Sequence, residues 1–424
     1  MNAFLKVQQD KANDQFPKLS ILRSVIGAKL AKRAGGGREN AVEHPMRLYP
    51  NMSAAGVRGA DGAMATPSQG GYATAILQTY PHNARAAWGH VDEIKTRQDV
   101  QAMESLVQRV TKDTIEGFAI SMNKVAWGNG SGVAGRINGT PTVATGEVIV
   151  DATFSAGGGY TPGFPHLSEG QWLQATSDKT LVHPDRVGKA KITGKVESTL
   201  TATFGEGSIA DWADNDYLVM EDGLNNVADG IMACYSSANG GRPNYLSIDR
   251  AVAANSYFKP IEHVYSDATS KAKTIMLLLS QAGEQAVRPP SVGLTSYKVV
   301  HGIFDDAVDN KINYMLQGAA LPRKYAIGFE AVGITSPAGS ITEIFTDRHC
   351  PGDYDASTGV MAIIEPEDWV IVQPETPGWY KPEGSMVMHK GGTFGKHSTW
   401  LEVFSYACEL PRRQIFITGL KVKV

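Results

Sequence analysis

Arg348-His349-Cys350-Pro351-Gly352-Asp353 sets a thiol beside an imidazole, the side chains of a cysteine nucleophile and its base. Working pairs of that kind are assembled from distant parts of a chain. Neighbours on an extended segment point to opposite faces. The expectation is a loop turned by Pro351 and Gly352, with Cys350 semi-buried. Asp305, Asp306 and Asp309 form one acidic cluster, and Asp211, Asp214 and Asp216 another. A divalent cation needs oxygens converging from several elements. No EF-hand spacing occurs, so both clusters are expected to be solvated faces. Gly130, Gly132 and Gly135 spell GxGxxG. A dinucleotide fingerprint follows a strand and opens a helix. This one follows a helical pattern and runs into Pro141, so a sharp turn is expected. HExxH, GxSxG, Walker and CxxC motifs are absent. No catalytic residue, cofactor or metal is expected, and the chain leans toward binding or architecture.

The 424 residues can bury a large core and divide into two or three domains. Lys and Arg number 40 against 43 Asp and Glu, a net charge of -3. That balance gives no whole-chain reason to bind nucleic acid, so any basic surface is local. Cys234, Cys350 and Cys408 are odd in number and far apart, which fits a reducing compartment. No apolar run approaches the roughly 18 residues of a membrane span.

The elements follow from periodicity. Ile21, Leu22, Val25, Ile26 and Leu30 share a face, which predicts a helix over 17–34 carrying Lys18, Arg23, Lys29, Lys32 and Arg33. Residues 35–94 are rich in Gly, Ala, Ser, Pro and Asn, too poor in large apolar residues to fold alone. Tyr72, Ile76, Leu77, Tyr80 and Trp88 argue for arms that order against neighbours. Val100, Met103, Val107, Val110, Thr114, Phe118, Met122 and Val125 recur at steps of three and four, predicting a long helix over 95–126. At about 1.5 Å per residue it spans roughly 40 Å. Ala190, Ile192 and Val196, then Leu200, Ala202 and Phe204, alternate as half-buried strands do. With 216–220 they predict a small barrel or sandwich within 163–230. Helices are expected over 270–282 and 297–317, and strands over 400–408 and 415–424.

The segment Val125-Ala126-Trp127-Gly128-Asn129-Gly130-Ser131-Gly132, through Gly135-Arg136-Ile137-Asn138-Gly139, resembles the turn after the spine helix in tailed-phage major capsid proteins of the Hong Kong 97-type fold. Pro290 to Phe304 is similar to that family's strand leading into a helix. Phe404 to Pro411 and Ile415 to Leu420 are similar to its final strands. Order and spacing over roughly 45–424 carry the resemblance.

The resemblance implies an α+β Hong Kong 97-type fold. It implies an N-terminal arm over 1–47 and an extended loop over 48–94. A peripheral domain covers 95–235, with spine helix 97–126 and a β-rich insertion at about 163–230. An axial domain covers 236–380, and return strands cover 381–424. It implies a capsid protein that self-assembles into hexamers and pentamers around double-stranded DNA in the virion, built in the host cytoplasm. Portal and scaffold proteins, and a decoration protein, would be partners, and no membrane. The family's type member begins with a scaffold-like domain; here about 45 residues precede the arm, so a separate scaffold is expected. Tyr72, Tyr80, Arg85 and Trp88 are the expected inter-subunit contacts, and Lys18, Arg23, Lys29, Lys32 and Arg33 the inner surface toward DNA or scaffold. An encapsulin-like compartment is the alternative within the fold, and a hydrolase with a β-rich substrate domain the alternative of another class.

Overall fold

The computed structural model describes residues 31–33, 41–49, 70–89, 100–151, 162–235, 241–242, 244–266, 269–286, 288–309, 331–335, 341–351, 358–374, 377–381, 385–389 and 395–421, and the fold is given for these. The chain opens with strands β1 (Ala31–Arg33), β2 (Ala41–Tyr49), β3 (Gly71–Gln78) and β4 (Tyr80–Gly89). Helix α1 (Val100–Trp127) follows. Next come β5 (Val133–Arg136), β6 (Glu147–Ile149), β7 (Trp172–Thr176), β8 (Lys189–Val196), β9 (Thr201–Gly207) and β10 (Tyr217–Met220). Short strands β11 (Asn244–Tyr245) and β12 (Ile248–Asp249) precede β13 (Ile261–Val264). Then α2 (Lys271–Ala286), β14 (Val292–Thr295) and α3 (Tyr297–Asp309) alternate. The chain ends with β15 (Ala331–Thr335), β16 (Ile341–Thr346), β17 (Thr358–Ile364), β18 (Trp369–Val372), β19 (Gly378–Trp379), β20 (Met388–His389), β21 (Gly395–Cys408) and β22 (Ile415–Lys421).

Three six-stranded sheets organise these elements. The first is built on β21, which pairs with β4, β18, β19 and β20, while β1 joins β18 in parallel. The second, in the order β5-β10-β7-β8-β9-β6, is a separate β-unit with its own core of Ile192, Phe204, Trp212 and Leu218. The third runs β13-β22-β17-β14-β16-β15. Its central strand β17 is covered on both faces. Met361 and Ile363 of β17 join the core under α2 and α3, while Val360, Ala362 and Ile364 join the core that includes α1. The run Val360-Met361-Ala362-Ile363-Ile364 is therefore apolar throughout, as strands covered on two sides are.

The stripe predicted for the long helix is buried from Phe118 onward, with Val110 and Thr114 half-buried. Phe118, Met122 and Val125 lie in the main core, joined by Ile115, Ala119 and Trp127, with Val110 packed against it. Met103 and Val107 lie outside the residues whose side chains are described. The glycine turn forms directly after α1. Gly130 and Gly132 hold φ of 81° and 72°, and a Cβ on Gly132 would stand 2.1 Å from the Gly223 carbonyl oxygen. Only glycine satisfies both demands.

Two expectations differ from the structure. Ala31–Arg33 is a strand paired with residues 370–372 of β18, where periodicity predicted the last turn of a helix. The partner lies more than three hundred residues away and leaves no local trace. Residues 71–89, read as arms that order only on neighbours, form β3 and β4 inside this chain, where β4 pairs with β21 along its length. Small residues at Ala75, Ala84 and Ala86 let these strands lie close to the core despite few large side chains.

Candidate assembly surface

Alternation along β3 gives the β2–β3 ribbon two different faces. Ala75 and Leu77 turn into the core, while Tyr72 and Ile76 face outward, Tyr72 at 68% exposure. On β4, Arg85 is exposed opposite Thr399. Tyr80 and Trp88 are buried in the chain's own core, and the Tyr80 hydroxyl donates to Gln78 Oε1 at 3.2 Å. Of the four residues expected to meet neighbours, Tyr72 and Arg85 therefore present surface, and Tyr80 and Trp88 support the strands beneath it. Lys32 and Arg33 lie on β1. Lys18, Arg23 and Lys29 lie outside the described residues.

Cys350 and Asp216, two of the residues whose types could do chemistry, are tied into the fold. Cys350 is buried, its thiol pushed well up by burial, and its Sγ lies 3.5 Å from the Pro351 carbonyl oxygen and 3.7 Å from that of Val360. A thiol held protonated is a poor nucleophile. Asp216, from an expected solvated cluster, is buried and takes a two-pronged contact from Arg186, at 2.8 and 2.9 Å. Asp305, Asp306 and Asp309 lie on α3, outside the residues whose side chains are described. Among the described residues no group of three His, Cys, Asp or Glu side chains is placed to hold a metal ion, and no helix is long and apolar enough to cross a membrane.

A buried polar joint was not legible in the sequence. It gathers where α1 ends, beside residues 166–171 of the β-unit and where β16 leaves the third sheet. Asp347, at 1% exposure, accepts from Asn123 Nδ2 at 3.1 and 3.2 Å, from Trp127 Nε1 at 2.9 Å and from the His349 backbone N–H at 2.8 Å. Lys124 reaches the β-unit, donating to Ser168 Oγ at 2.7 Å and Gln171 Oε1 at 3.3 Å. Burial lowers the Lys124 amine to about 7, helped by Lys195 and Arg348. His166 is also buried and held well below its ordinary value, by burial first and then by Lys124. Asn123 and Asp347 are 224 residues apart, so no spacing rule could have joined them.

No protein-family model matches this chain, and no curated protein matches it. Solved structures do. The capsid asymmetric unit of cyanophage A-1(L) aligns at a TM-score of 0.51 and 12% identity, over 93% of this chain and 92% of that one. A Gordonia phage Cozz chain aligns at 0.43 and 10% identity, over 97% and 86%. A chain of the cyanophage P-SCSP1u capsid aligns at 0.42 and 8%, over 92% and 86%. At 12% identity the A-1(L) likeness is one of fold, and it runs the length of both chains. The chain has the α+β, Hong Kong 97-type fold that the resemblance implied.

Proposed function

We propose that this protein is a major capsid subunit of a tailed phage, assembling through hexamers and pentamers into an icosahedral shell around double-stranded DNA. The observation that carries the reading is the fold shared with the cyanophage A-1(L) capsid chain over nearly the whole of both chains. Closed shells arise from many modest contacts repeated by symmetry, and their sum makes the particle stable. The outer face of the β2–β3 ribbon, with Tyr72, and the exposed Arg85 of β4 are the surfaces assigned to neighbouring subunits. Lys18, Arg23, Lys29, Lys32 and Arg33 are assigned to the inner surface, where phosphate neutralisation or scaffold docking needs charge and not sequence. Portal and scaffold proteins are the expected assembly partners in the host cytoplasm, and a decoration protein is compatible with the exposed β-unit. Negative-stain microscopy of the purified chain, expressed with its scaffold, should show closed particles of uniform diameter. Monomers and small oligomers alone would overturn the reading.

Some shells of this fold are locked by isopeptide bonds from a lysine on the extended loop. No lysine lies between Lys32 and Lys95, and the guanidinium groups of Arg58 and Arg85 stay protonated and non-nucleophilic. Cys234, Cys350 and Cys408 are buried free thiols. Mature particles boiled in detergent should therefore run as one band near 45.5 kDa. A ladder that survives reductant would show a covalent lock made elsewhere.

A further inference from the structure

Asn123 Nδ2 lies between two acceptors. It stands 3.1 and 3.2 Å from the Asp347 oxygens and 2.8 Å from His349 Nδ1. An amide nitrogen only donates. Turning the amide over would aim its oxygen at the carboxylate, so the nitrogen stays where it is. His349 Nδ1 must then accept, which makes the ring neutral with its proton on Nε2. Adding a proton at Nδ1 would set donor against donor in a site where the His349 side chain is 12% exposed.

We infer that the Asn123–His349–Asp347 contact is a proton-operated latch, closed while His349 is neutral and opened by acid, fastening the end of α1 to the segment leaving β16. Opening would also loosen the β-unit, because Lys124 next to Asn123 is tied to Ser168 and Gln171. The groups facing the ring are unequal. Asp347 favours a proton on it, with Oδ1 3.8 Å from Nδ1, but Oδ1 already accepts from Asn123 and the His349 backbone N–H, and Oδ2 from Asn123 and Trp127. Lys124 of α1, Lys195 of the β-unit and the neighbouring Arg348 all oppose a further positive charge. His166, buried on the β-unit side, opposes it too once charged. Burial and these cations bring His349 from 6.5 down to about 4. The sign follows. The closed form takes the proton less readily than the open form, so closure is complete above about 6.5 and weakens as pH falls toward 4.

Each pH unit in that window should raise the opening equilibrium about tenfold. Hydrogen exchange read by mass spectrometry over 122–128 and 344–350, corrected for intrinsic rates, reports it in the full chain whether or not shells form. The latch does not depend on the shell reading. Wild-type protein should show the climb, and His349→Gln, whose side-chain oxygen still accepts from Asn123 but does not titrate, should flatten it. A flat wild-type profile, or an undiminished climb in His349→Gln, overturns the latch. Should that variant fold poorly, nitrogen-15 spectra of histidine-labelled wild type decide alone. Nε2–H with bare Nδ1 at pH 7, charging only toward pH 4, supports it, and a ring charged at pH 6 overturns it.

Discussion

Phe118→Asp is expected to leave little folded protein at ordinary growth temperature. Phe118 is 3% exposed, in the core shared with Ile115, Met122 and Trp127, on the helix that packs against β4. Removing the ring costs about 3–5 kcal/mol in transfer and cavity terms. Leaving a carboxylate there with no partner costs several kcal/mol more, whether as a buried charge or as a forced protonation. The sum rivals the roughly 5–15 kcal/mol that holds a whole domain. Glu116→Ala, on the exposed side of the same helix, should change stability by no more than about 0.5 kcal/mol. Soluble yield and thermal unfolding read the contrast. Wild-type stability in Phe118→Asp would mean that the buried face of α1 lies elsewhere.

What could be read in advance was what repeats locally. The three-and-four spacing of Val110, Phe118, Met122 and Val125 located α1, because a helix must turn those positions to one side. Alternation placed β8 and β9, since Ala190, Ile192, Ala202 and Phe204 all face one core. The second sheet, however, also takes in β5 and β6, four and three residues long. Such strands are too short to show a period and are held by the pairing of β5 with β10 and β6 with β9. β1 was missed for the same reason, its order coming from β18 across most of the chain. The aromatic residues of 72–88 were recognised as needing a partner surface. For Tyr80 and Trp88 that surface is this chain's own core, and composition alone cannot tell a self-contact from a neighbour's. The polar joint was the least legible part. Asp347, Asn123 and His166 are ordinary residues in sequence and acquire their roles only when three units meet.

Asp347→Ala should cost about 3–5 kcal/mol, the largest loss expected from any single polar residue of the joint. The carboxylate is the acceptor for Asn123, Trp127 and the His349 backbone N–H, so its removal strands three donors. Each stranded buried donor costs about 1–3 kcal/mol, with partial relief from water entering the space left behind. Asp347→Asn would not rescue the site, because its new amide hydrogens would meet donors on one side. The decisive comparison is a cycle with Trp127→Phe, which deletes the indole donor and keeps most of the apolar volume. If Asp347 works by satisfying those donors, the double variant should be more stable than the two single losses predict, by about 1 kcal/mol. Midpoints of thermal unfolding for the four proteins at pH 7 give the coupling. Strict additivity would mean that the carboxylate stabilises the joint not through the indole but through Asn123 and the His349 backbone N–H alone.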